Sequence, residues 1–154
     1  MTVIRRGGQQ DVPFMRSLLV HAYNWHVNVF DTADVPIGRY VEGWGRPGDT
    51  ALVAMDAGHR VGAGWFRLFR ASAPGFGFVD AETPELTVVV VPSRQGEGIG
   101  RELLAGLLEL ARADAYPGLS VSVERASAEV AEYEAQGFEP VHEGARAVTM
   151  LRRF

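Results

Sequence analysis

Apolar residues recur along the chain in two periods, one fitting strands and one fitting helices. Thr2 to Arg6 reads as a first strand. Asp11 then offers an N-cap with Pro13 in the first helical turn, and Met15, Leu18, Leu19, Ala22 and Tyr23 follow at three- and four-residue spacing. That stripe predicts an amphipathic helix. Gly and Pro punctuate the stretch from Trp25 to Asp49, which leaves room for one short helix near Ile37 to Trp44. Thr50 to Met55 and Arg60 to Phe69 read as an antiparallel pair joined through Asp56-Ala57-Gly58-His59, and Ala71 to Pro84 as a loop.

Glu85 to Val91 is a continuous β-branched run, which predicts a central strand buried on both faces. A glycine turn follows, then a helix striped by Ile99, Leu103, Leu104, Leu107, Leu108 and Ala111 that ends near Pro117-Gly118. Leu119 to Val123 reads as a strand and Ser127 to Ala135 as a short helix. Gly137 to His142 and Ala145 to Leu151 close the chain as strands. The order β-α-(α)-β-β-β-α-β-α-β-β predicts one α/β domain, residues 1–154, around a mixed sheet of about seven strands with helices on its faces.

Chemistry concentrates where the central strand meets its helix, in Val88-Val89-Val90-Val91-Pro92-Ser93-Arg94-Gln95-Gly96-Glu97-Gly98-Ile99-Gly100-Arg101. The first N–H groups of a helix lack intrahelical partners, and that end carries partial positive charge. Glycines 96, 98 and 100 remove the side chains that would keep a phosphate from those donors, so the turn suits a diphosphate. Arg94 and Arg101 stand at its rim. By themselves the glycines also fit a plain tight turn. A Walker loop is excluded because Arg101-Glu102 stands where Lys-Ser/Thr is needed. A dinucleotide fingerprint is excluded because Arg101 takes the place of its third glycine.

With its Val-Pro strand end and Gln95-Gly96-Glu97-Gly98-Ile99-Gly100, the segment resembles the central motif of the GNAT superfamily of N-acetyltransferases. Tyr133-Glu134-Ala135-Gln136-Gly137-Phe138 resembles a second motif of that family, at the right separation, and the element order agrees throughout. The resemblance implies a central strand splayed from its neighbour, with Val88, Val89 and Val90 pairing the pantetheine arm of acetyl-CoA as a pseudo-strand. It implies that Gln95, Gly96, Glu97, Gly98, Ile99, Gly100 and Arg101 hold the diphosphate, and that an N–H near Val90 faces the thioester carbonyl. It further implies Tyr133 as general acid for the departing thiolate; an amphipathic core tyrosine is the other reading of that residue. Two carboxylates, Glu85 and Glu124, stand at strand ends where this family sometimes places a base. Each also reads as a solvated charge. Two positions depart from the family pattern: Glu97 stands where a basic residue is frequent, and Ala126-Ser127-Ala128 lacks the expected Asn.

Composition narrows the reading further. The 154 residues contain no cysteine, so a thiol nucleophile, thiolate metal sites and disulfides are excluded, and transfer goes directly to the acceptor or through an oxygen or nitrogen nucleophile. His21, His26, His59 and His142 show no metal-ligand spacing. A net charge of −4 argues against nucleic acid and leans toward a cationic acceptor. No run resembles a signal peptide or approaches the roughly 20 apolar residues of a membrane span, so a cytoplasmic protein with no membrane partner is expected. The aromatics Tyr23, Trp25, His26 and Phe30 fall in a region that, in the family, lines the acceptor side; core packing fits them equally. The expected activity is acetyl transfer from acetyl-CoA to a small-molecule or peptide amine, with a homodimer as a common assembly of the family. An acyl-CoA-binding sensor or partner-binding module without turnover is the alternative.

Overall fold

The computed structural model describes the backbone of residues 1–25 and 37–154, and the side chains outside 23–37. Seven strands form one mixed sheet: β1 (Thr2–Arg6), β2 (Thr50–Asp56), β3 (His59–Arg67), β4 (Glu85–Val90), β5 (Gly118–Glu124), β6 (Glu139–Glu143) and β7 (Ala147–Arg153). Their order across the sheet is β1-β2-β3-β4-β5-β7-β6, with β4 and β5 the parallel pair. The helices are α1 (Val12–Trp25), α2 (Ile99–Ala113) and α3 (Glu129–Ala135).

Strand alternation splits the core into two layers. Leu86, Val88 and Val90 of β4 and Leu119, Val121 and Val123 of β5 join the α2 stripe on one face. Met15, Leu18 and Leu19 of α1 cover the other face over Val53, Ala63 and Trp65. The predicted aromatic cluster of Tyr23, Trp25, His26 and Phe30 lies outside the described side chains.

Two local expectations change. Asp11 ends a 3-10 turn (Gln9–Asp11) ahead of α1, and its buried carboxylate bridges Arg5 and Arg60 at 2.7 and 2.8 Å. The arginines hold it well below the usual carboxylate range, so its role is to tie the first strand to the third. The central strand departs more consequentially. β3 pairs with all of Glu85–Val90, whereas β5 pairs with β4 at Glu85–Ser120 alone. Because β5 then diverges, Thr87 to Val90 are only half-buried, not enclosed on both faces. No helix among the described residues is long and apolar enough to cross a membrane.

Candidate active site

The divergence of β4 from β5 leaves backbone groups without a strand partner. Val91 N–H donates to Val61 C=O at 3.0 Å and Ser120 N–H to Pro84 C=O at 3.0 Å. Alternation along the strand therefore turns the N–H and C=O of Val88 and Val90 toward the gap, and those of Val89 toward β3. The Gln95 side-chain amide donates to Val90 C=O across 3.3 Å, consistent with that direction. An edge of this kind accepts an extended, amide-bearing ligand by β-augmentation.

At the end of the gap, Pro92–Arg94 makes one 3-10 turn and the chain enters α2 through Gly96 and Gly98, at φ +82° and +85°. Only glycine adopts that left-handed conformation without strain. A Cβ built on either residue meets nothing within 4 Å, so the space above the turn is open. Glu102 N–H makes the bond to Gly98 C=O at 3.1 Å, which leaves the amides before it in the first turn as the orphan donors of the helix. These features fit a diphosphate with a peptide-like arm: donors, positive dipole end, vacant volume and an unpaired strand edge lie in continuity.

A cavity of about 420 Å³ connects the turn to the gap. Its walls include Val88, Val89, Val90, Gln95, Gly96, Gly98, Ile99, Gly100 and Arg101, together with Glu85, Glu124 and Tyr133. Glu97 alone of the sequence-derived site residues is not among them. It turns aside to accept from Arg94 Nε at 3.0 and 3.1 Å, and Arg94, which does line the cavity, also pairs with Asp56 at 2.8 Å.

Tyr133 is buried in α3, where its ring meets Phe138 edge to face. Burial, and then the carboxylates of Glu129 and Glu132, push its phenol well above the ordinary value of 10, so it stays protonated. Glu85 is 2% exposed. Burial raises its carboxyl to about 7, against hydrogen bonds from the Tyr40 hydroxyl and the Gly77 N–H. Glu124, ending β5, lines the same cavity. Sequence reasoning missed Tyr40, Phe76, Glu129, Glu132 and Gln136, which also form its walls. Spacing gave a signal only for those on α3, one turn or less from Tyr133.

The model of the acetyltransferase (GNAT) domain matches residues 47–140, and the chain belongs to this family. Its fold is similar to ribosomal-protein-alanine N-acetyltransferase from Brucella melitensis, at 28% identity and TM-score 0.76 over 99% of both chains. It is also similar to yncA from Salmonella typhimurium, solved with its cofactor acetyl-CoA, at 21% identity and TM-score 0.76 over 99% of this chain and 93% of that one. A GNAT family acetyltransferase from Brucella melitensis, in complex with acetyl-CoA, shares 21% identity at TM-score 0.68 over 100% of this chain and 88% of that one. No curated protein matches the sequence.

Proposed function

We propose that residues 1–154 form one N-acetyltransferase domain that moves an acetyl group from acetyl-CoA to a primary amine by direct attack in a ternary complex. The observation that carries this reading is the single cavity into which the open β4 edge, the glycine turn, Tyr133 and Glu85 all project. When bound, acetyl-CoA supplies a thioester open to attack by nitrogen. The amides leading into α2 and the rim cation Arg101 would hold its diphosphate, and the strand groups of Val88 and Val90 its amide-bearing arm. The Val88 N–H, directed into the gap at the end of the arm remote from the diphosphate, is the donor available for the thioester oxygen.

Glu85 is the carboxylate proposed as the base. A base serves best with a pKa near the operating pH, and about 7 meets that condition. Tyr133 keeps its proton for the leaving sulfur. With no cysteine in the chain, nothing supports a thiol-bound acyl-enzyme. The carboxylates Glu85, Glu124, Glu129 and Glu132 in the cavity wall support a cationic acceptor, and the likeness to ribosomal-protein-alanine N-acetyltransferases brings a peptide amine into the candidate set beside small amines.

The test is release of free CoA from acetyl-CoA across a panel of small amines and alanine-ended peptides. Turnover with any member supports the proposal. Tight acetyl-CoA binding without thiol release from any amine would instead identify a binding module.

A further inference from the structure

Glu85 is held from two directions. Tyr40 closes the 3-10 turn Ile37–Tyr40, and its hydroxyl donates to Glu85 Oε2 while accepting the Phe76 N–H at 2.8 Å. The next amide, Gly77 N–H, donates to Glu85 Oε1 at 3.0 Å. Two consecutive loop amides thus grip the two members of one tyrosine–carboxylate pair. The turn carrying Tyr40 is itself anchored: Trp65 Nε1 donates to Tyr40 C=O at 3.1 Å and Arg67 Nη1 to Arg39 C=O at 3.0 Å, both from side chains fully buried in β3. The Tyr40 ring stacks on Phe76 at 6.2 Å and meets Phe69 edge-on at 5.2 Å. The loop is pressed against the sheet. A Cβ on Gly77 would lie 2.8 Å from the Ser122 nitrogen and the Val121 carbonyl carbon, and one on Gly75 would lie 2.9 Å from the Tyr40 hydroxyl oxygen.

Resting on the acetyltransferase reading above, we propose that Tyr40 is a positioning residue which, with Gly75–Gly77, presents Glu85 as the proton acceptor for the incoming amine. A carboxyl buried here with no donors would remain a neutral acid and take up no proton. The two donated bonds favour the charged form and oppose burial. A carboxylate offers about four lone-pair sites, so both oxygens keep capacity for the amine. Glu85 then takes the proton that nitrogen sheds as the N–C bond forms and the C–S bond breaks. Tyr133 gives a proton to the sulfur.

Two arginines beside this site are already committed. Arg67, opposite Glu85 on β3, is bound to both Asp49 oxygens at 2.9 and 2.8 Å, and Arg39 donates to Pro74 C=O at 2.7 Å. From β5 comes Ser120, a buried hydroxyl with no partner among the described residues, and among the described side chains of α1 the apolar Leu19 and Ala22 face the cavity. Glu124 on β5, Tyr133 with Glu129 and Glu132 on α3, and Arg94 and Arg101 at the turn share the cavity.

Two readouts test the proposal. Glu85 is titrated by NMR in protein labelled with carbon-13 at glutamate carboxyls, assigned by comparison with Glu85→Gln, and kcat/KM is followed against pH with an accepted amine. Tyr40→Phe keeps the ring contacts and removes the donor. Its Glu85 pKa should rise by about one unit, and the acidic limb of kcat/KM should move up equally while acetyl-CoA affinity stays constant. Gly77→Ala, which must push the loop off β5, should shift both in the same direction and serves if Tyr40→Phe does not fold. A Glu85 titration unmoved in the folded variants overturns the proposal. So does a moved titration with an unmoved acidic limb. If the wild-type protein titrates as described yet releases CoA with no amine, the acetyltransferase reading fails instead.

Discussion

Phe138 donates its backbone N–H to the Tyr133 carbonyl at 3.0 Å while the two rings meet edge to face with centroids 5.2 Å apart. Together with the Gly137 N–H to Glu134 C=O bond at 3.0 Å, and Gly137 at φ +90°, this completes a Schellman ending for α3. The Tyr…Gly-Phe motif therefore has a local physical meaning. The glycine stops the helix, and the phenylalanine folds back to fix the tyrosine ring against the cavity wall.

Tyr133→Phe removes the hydroxyl and keeps that packing. Its kcat should fall by about 100- to 10,000-fold, the usual range for a proton-transfer group. Acetyl-CoA affinity, by calorimetry, and melting temperature should stay near wild type. A variant with full turnover would remove Tyr133 from the chemistry.

Gly98→Val forces a β-branched residue to φ +85° and fills the open space above the turn. Backbone strain of this kind costs on the order of 1–3 kcal/mol in the unliganded protein. The more specific outcome concerns the ligand. Acetyl-CoA, which should raise the melting temperature of wild type, should no longer raise that of the variant. Equal stabilisation of both would show that the turn does not hold the diphosphate.

A carboxyl whose folded-state pKa is raised stabilises the fold below its unfolded pKa, and that stability is lost as pH rises through the folded value. For Glu85 the window runs from the ordinary 4.5 to about 7, and is worth on the order of 3 kcal/mol across it. Glu85→Gln lacks this loss, so its melting temperature should gain on wild type between pH 5 and pH 8. Its kcat/KM should also lose the rise near pH 7 that wild type shows as the base ionises. Parallel melting curves would refute the raised carboxyl.

Glu97 neutralises Arg94, a cation in the cavity wall, from outside the cavity. Glu97→Gln should leave Arg94 attached only to Asp56 and tighten acetyl-CoA by a few-fold, an effect that fades as salt rises past about 0.15 M. Unchanged affinity at low salt would mean that Arg94 does not contribute to the diphosphate.

What the sequence revealed was what is contiguous in it. The strand, glycine turn and helix from Val88 to Arg101 form one run, and α3 with its Gly-Phe ending forms another, so backbone preferences alone place their parts. Tyr40 reaches Glu85 from 45 residues away and Gly77 from 8 residues across a loop, with no periodicity to announce either. The apolar run of β4 likewise suggests full enclosure. Hydrophobicity along one strand carries no information about how far its neighbour follows it, and β5 leaves after a single pair.

That early departure has a mechanical consequence. The block of β1 to β4 and the block of β5 to β7 share one backbone pairing, supplemented by the side chains of α2, so the sheet resembles a book held at one stitch near the spine. Anything lodged along the rungs of Val88 and Val90 would bind the two boards together. A ligand seated there would fill the space the two halves leave between them, so the fold should tighten when it binds.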